Sequence, residues 1–190
     1  MSFNTKKKDQ YQESQIDLSD NISATQQESI VTVTGRLGVI KKDFTKIPAE
    51  ITIVDKKILI KTNGMRKKDL AIMNTAKSIL NNMMVGVERG FTYKLKIIFA
   101  HFPITVRIKG KRVYVENFFG ERSSRVSEII GEGTNVSVAG DDVIVEGTNL
   151  EDVSQTAANI ESSTKLKGKD QRVFLDGIYI YSRSEGIKKS

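Results

Sequence analysis

The sequence predicts an α+β protein built as two tandem duplicated small domains, each an antiparallel sheet with a helix packed on one face. Three observations carry that prediction. Short runs of alternating apolar residues, parted by Gly, Asp and Lys, recur through both halves. One long stretch with apolar residues at helical spacing closes each half. The halves also align with one another. "ITIVDKKILIK" (51–61) matches "VSVAGDDVIVE" (136–146) at an offset of 85, and "NTAKSI" (74–79) matches "QTAANI" (155–160) at an offset of 81. Upstream, "VTV" at 31–33 is paired with "ITV" at 104–106, and "VIKKDF" at 39–44 with "VYVENF" at 113–118. Two copies fall short of the three that a solenoid needs, so the duplication implies two layered units.

Taken in order, residues 1–15 are polar, hold the Lys6–Lys8 run and read as a mobile arm. The first domain spans 16–87. "IVTVTG" and "GVIKKDF" form a hairpin around "GRLG", and "EITIV" and "KILIK" form a second hairpin around "DKK". "DLAIMNTAKSILNNMMVGV" forms a helix with Leu70, Met73, Ile79, Leu80, Met83 and Met84 on its apolar side, Asp69 near its start and Gly86 at its end. The second domain spans 88–164. Its strands are "YKLKIIF", "ITVRI" and "RVYVENF", followed by the hairpin "NVSVAGDDVIVEG". "NLEDVSQTAANIESS" is its helix, with Asn149 as N-cap. Residues 165–190 form a basic C-terminal tail.

Composition excludes several function classes. The 190 residues include no cysteine, which rules out disulfides, thiolate metal sites and a Cys nucleophile. The lone histidine, His101, has no partner for a metal site or a catalytic pair. Asp141 and Asp142 sit at a hairpin tip, where Asp favours turn geometry. No phosphate-binding glycine loop of the P-loop or dinucleotide type occurs. No catalytic residue, metal or cofactor is expected, and the N-terminus carries no apolar signal-type stretch. "GRLG" matches the GxxG pattern of a nucleic-acid-clamping module but joins two strands, so it reads as a turn.

Charge says more. The net charge is +7, yet residues 126–164 carry −8 with no Lys or Arg, so the rest carries +15. The chain then turns basic at "KLKGKDQRVFLDG" (165–177). Lys165, Lys167 and Lys169 alternate as contacts along an extended segment would. Gly168 lets backbone approach a phosphate, and Arg172 can fork onto one. Arg122 and Arg125, in "GERSSR", add a composition suited to phosphate contacts. A further basic stretch, 56–68, reads as a loop holding Lys56, Lys57, Lys61, Arg66, Lys67 and Lys68. Phe174 and Tyr179 could stack or fill a core. These features point to a nucleic-acid partner.

At "GFTYKLKIIFAHFPITV" (90–106), "NFFGER" (117–122) and "KGKDQRVFLDGIYI" (167–180) the chain resembles the universal large-subunit ribosomal protein six family in its eukaryotic and archaeal form. That resemblance implies two related α+β domains and a non-enzymatic rRNA-binding component of the large ribosomal subunit in the cytoplasm. It implies a position near the sarcin–ricin loop and the stalk base, beside neighbouring large-subunit proteins and close to docking translational GTPases, away from membranes. It places RNA contacts on Lys165, Lys167, Gly168, Lys169 and Arg172, with Arg122 and Arg125 beside them. An RNA-binding adaptor outside the ribosome is the alternative the same basic segment would serve.

Overall fold

The computed structural model describes residues 11–187 other than Met65, Lys167, Lys169, Gln171 and Arg172. The chain divides into two compact units, Met1–Glu88 and Arg89–Ser190.

The first unit runs β1 (Tyr11–Asp17), β2 (Ser23–Gln27), β3 (Ile30–Gly35), β4 (Gly38–Asp43), β5 (Glu50–Val54), β6 (Lys57–Asn63) and α1 (Lys67–Glu88). Its strands form two antiparallel sheets, β2-β3-β4 and β1-β6-β5. Period-two alternation turns Val31 and Val33 inward from β3, and Ile58 and Ile60 from β6. Against them α1 buries Met73, Ala76, Leu80, Met83 and Val87, a stripe at three- and four-residue spacing. Asp69 opens the helix, its carboxylate accepting from the Arg66 amide at 3.0 Å.

Several expectations change here. Positions 11–15, assigned to the arm, form most of β1, which pairs along β6 from Tyr11↔Asn63 to Asp17↔Lys57. Residues 1–10 lie outside the described residues. Leu70 is exposed, because Asp69 takes the inward position one step earlier. The helix runs past Gly86 to Glu88. The β3–β4 turn explains this: the Leu37 amide donates to the Val87 carbonyl at 2.8 Å, and Arg36 Nη2 to the Glu88 carbonyl at 3.2 Å. Helix carbonyls that would otherwise lack partners are satisfied there. "GRLG" is the hairpin turn expected, with Gly35 opposite Gly38. The expected basic loop 56–68 is mostly not a loop. Lys57 and Lys61 lie on β6 in the middle of its sheet, and Lys56 and Lys57 form ion pairs with Asp20 and Asp17.

The second unit runs β7 (Phe91–Ile98), β8 (Thr105–Lys109), β9 (Arg112–Glu116), a short 3-10 turn (Phe118–Gly120), β10 (Arg125–Glu128), β11 (Asn135–Ala139), β12 (Asp142–Gly147), α2 (Leu150–Ser163) and β13 (Gly177–Glu185). Its sheets are β8-β9-β10 and β11-β12-β7-β13. The core is built from Leu95, Val113, Val115, Val143 and Val145, with Val153, Ala157 and Ile160 of α2 and Ile178 of β13. Asn149 caps α2 as expected, its Oδ1 accepting from the Glu151 amide at 3.1 Å. Asp141 lies in the hairpin turn, and Asp142 closes it opposite Ala139. Asp142 begins β12 and pairs with Lys96 of β7 at 3.3 Å. The domain does not stop at 164, since β13 returns to pair with β7 from Gly177↔Ile98 onward.

Strand pairing fixes the internal repeat. The β5–β6 hairpin has the same pairing register as β11–β12, with Ile51, Ile58 and Ile60 corresponding to Val136, Val143 and Val145, all buried. Upstream, the expected alignment is one strand out. "VTV" of β3 is a central strand and corresponds to "VYV" of β9, with buried Val31 and Val33 matching Val113 and Val115. "VIKKDF" then corresponds to "SRVSEI" (124–129). The hydrogen bonds agree: Phe44 donates to the Ser29 carbonyl at 2.9 Å, and Ile129 to the Lys111 carbonyl at 3.0 Å.

Candidate nucleic-acid interface

The basic segment starts where α2 ends. At that end no glycine takes the cap; Thr164 does, with φ −98° and ψ 7°. Its side chain is buried. Thr164 Oγ1 donates to the Glu161 carbonyl at 3.0 Å and accepts from the Ile178 amide at 3.0 Å. Glu161 Oε1 accepts from the Ile180 amide at 2.9 Å. The last turn of α2 thus holds the first half of β13. The expected tail is a loop, with its return strand fastened beside its point of departure.

The outgoing side is held by Arg125, the first residue of β10. Its Nε and Nη2 donate to the two carboxylate oxygens of Glu121 at 2.9 and 2.7 Å. Its Nη1 donates to the Ser163 carbonyl at 3.0 Å and the Lys165 carbonyl at 3.3 Å. The guanidinium lies over the Phe118 ring, 4.2 Å from its centroid. The Arg125 hydrogen bonds hold the Glu121 carboxyl below its ordinary value of 4.5.

Glu121 follows a tight turn. Asn117, Phe119 and Gly120 take left-handed backbone at φ 59°, 51° and 71°. Asn117 Nδ2 donates to the Pro103 carbonyl at 3.0 Å, tying this turn to the loop that carries His101 and Phe102. Those two exposed rings meet edge to face at 4.8 Å. Phe119 approaches Phe174 at 6.0 Å. Val173, Phe174 and Leu175 remain exposed, at 70%, 39% and 59%. A hollow of about 440 Å³, lined by Phe119, Glu121, Arg125, Ser163, Lys165 and others, opens beside the segment.

The expected site residues divide by environment. Arg122 and Lys165 are exposed. Gly168 is exposed at φ +76°, and a Cβ there would meet nothing within 4 Å, so its backbone conformation calls for glycine. Among the described site residues, Arg125 is the one committed to intramolecular acceptors. Lys167, Lys169 and Arg172 lie outside the described residues. Phe174 and Tyr179 are both exposed rather than core. Glu121, Glu161 and Thr164 were not foreseen. Only the four-residue spacing of Glu121 and Arg125 could have hinted at a pair, and the intervening chain is not helical. No helix among the described residues is long and apolar enough to cross a membrane.

Comparison with known proteins bears on the whole chain. Residues 102–177 match the family described as ribosomal protein L6. Proteins named large ribosomal subunit protein uL6 are similar over nearly their full length. That of Methanosphaera stadtmanae is 45% identical, across 90% of this chain and 92% of its own. That of Staphylothermus marinus is 44% identical, across 90% and 94%. That of Saccharolobus solfataricus is 39% identical, across 89% and 93%.

Proposed function

The chain belongs to the ribosomal protein L6 family, and we propose that it is a structural, non-enzymatic protein of the large ribosomal subunit that grips rRNA through its second unit. The observation that carries this is the similarity across about nine-tenths of the chain to proteins of that subunit. The loop 165–176 supplies the physical means. Its cations leave from a fixed base, and Lys and Arg set against phosphates release counterions and supply affinity.

Lys165, Lys167, Lys169 and Arg172 are the phosphate contacts in this reading, with Gly168 allowing close backbone approach and Arg122 adding a cation from the neighbouring turn. Specificity comes from RNA shape, because A-form grooves hide base edges from side chains. The position is near the sarcin–ricin loop and stalk base, beside other large-subunit proteins and close to where translational GTPases dock. From there the protein supports the factor-binding region.

Sucrose-gradient sedimentation of lysate after a high-salt wash tests the assignment. Comigration with large subunits, stoichiometric with them, is expected. Release into soluble fractions would overturn it in favour of an RNA-binding adaptor outside the ribosome.

A further inference from the structure

Among the described cations that the sequence assigns to RNA, Arg125 is the one whose geometry contradicts its apparent role. We propose that Arg125 is a positioning residue: braced on Glu121, it fixes where the chain leaves α2 and so aims the cationic segment starting at Lys165. The purpose of the brace rests on the rRNA reading above; its existence does not.

Four of the five guanidinium N–H groups already have acceptors, two on Glu121 and two on the Ser163 and Lys165 carbonyls. Phe118 covers one face, and the side chain is only 27% exposed. A phosphate would have to displace these bonds to gain the fork. The Ser163 carbonyl is the last of α2, where helix carbonyls lack partners and a cation is favoured, and the Lys165 carbonyl lies just past the Thr164 cap. Across the same base, Thr164 and Glu161 hold the returning β13. The loop is therefore gripped on both sides of its root. Fixing the root before binding reduces the ordering cost of placing its lysines on RNA.

Glu121 supplies a test of sign. As an isolated carboxylate beside a polyanion it would oppose binding, and its removal would help. As half of a brace its removal should hurt. Arg125→Lys separates the roles from the other side. Lysine keeps the charge, but one ammonium cannot span a carboxylate fork and two carbonyls.

The experiment uses the full chain and phenol-extracted large-subunit rRNA, with binding measured across a salt series. Limited trypsin cleavage after Lys165, read by mass spectrometry, is run without RNA. In Glu121→Gln and Arg125→Lys alike, binding should weaken about 3- to 10-fold with the salt slope unchanged. Cleavage after Lys165 should be faster in both. Unchanged cleavage, or rRNA binding by Glu121→Gln equal to or tighter than that of the unaltered chain, overturns the brace. A phosphate ligand would show instead as near-normal binding by Arg125→Lys and a slope flattened by about 0.7–0.9 in Arg125→Gln. If the unaltered chain does not bind rRNA, the functional assignment fails, while the cleavage comparison still decides whether the brace exists.

Discussion

The two units start their helices alike and end them differently. Each has an aspartate at the third helical position, Asp69 in α1 and Asp152 in α2, lying under a left-handed glycine, Gly64 or Gly131. The stripes Met73, Ala76, Leu80 and Val153, Thr156, Ile160 share one spacing, and each helix lies against the central and first strands of a sheet in its unit, β6 and β1 for α1 and β12 and β7 for α2. The far ends part company. α1 continues to Glu88, and its last carbonyls are closed by the β3–β4 turn of its own unit. α2 stops at Ser163, and its last turn instead joins Arg125, the departing chain and β13. One end is sealed by a hairpin. The other is a junction at which the basic segment beginning with Lys165 leaves the helix. A duplicated scaffold thus gains a binding segment by changing what completes a helix terminus, with sheet and core left intact.

The largest effect should come from the strand that only the second unit has. Ile178 is fully buried on β13, and Ile178→Ala should cost about 3 kcal/mol, seen in urea denaturation as early loss of that unit. A cost below about 1 kcal/mol would make β13 an accessory edge rather than a core strand. Next come the cations. Replacing Lys167, Lys169 and Arg172 together by Ala should flatten the salt dependence of rRNA binding by about 2 to 3 in log–log slope. Replacing Arg66, Lys67 and Lys68 at the start of α1 should leave it unchanged. Equal losses would erase the functional contrast between the units.

Smaller effects sharpen the likeness at the helix starts. Gly64→Ala and Gly131→Ala each force a side chain into left-handed backbone against the helix aspartate. Each should cost about 1–3 kcal/mol, and values differing severalfold would show that the two starts are not equivalent. The smallest concerns acid. The Glu121 carboxyl has a folded value below its unfolded one. Its contribution is complete above the ordinary carboxylate range and is lost as pH falls through the depressed value. Tryptic cleavage after Lys165 cannot be read in acid, so amide hydrogen exchange at 163–166 is the measurement. Exchange there, corrected for its intrinsic pH dependence, should show protection falling with acid, and the same correction in Glu121→Gln should remove the change.

Much of the architecture was legible because it is local. The hairpins at 51–61 and 136–146 announce themselves by alternation and turn residues, and Asn149 by its place before an apolar-periodic run. What was missed is non-local. β1, "YQESQID", buries Ile16 but otherwise lacks an apolar face, and pairing with β6 makes it a strand. β13 follows a cationic stretch and reads as tail until β7 is seen beside it. "VTV" resembles both "ITV" and "VYV", and only the central position of β3 and β9 in their sheets decides between them. At the site, sequence shows that Arg125 is a cation. It does not show that Glu121 and two carbonyls already hold it.

The return of β13 also sets a schedule. During synthesis from the N-terminus, every strand of the first unit exists once residue 88 has been made. The second unit makes β7 early, yet the neighbour that closes its edge is among the last segments added, with Thr92 hydrogen-bonded to the carbonyl of Gly186, 94 residues on. Until then a strand edge with free backbone donors and acceptors stands open on the nascent chain, the kind of surface that recruits other strands, and its closure waits on a contact of long sequence separation. The half of the molecule that carries the basic segment is therefore the half whose sheet is completed last in synthesis, and a chain broken off before residue 177 would leave that edge of β7 unpaired.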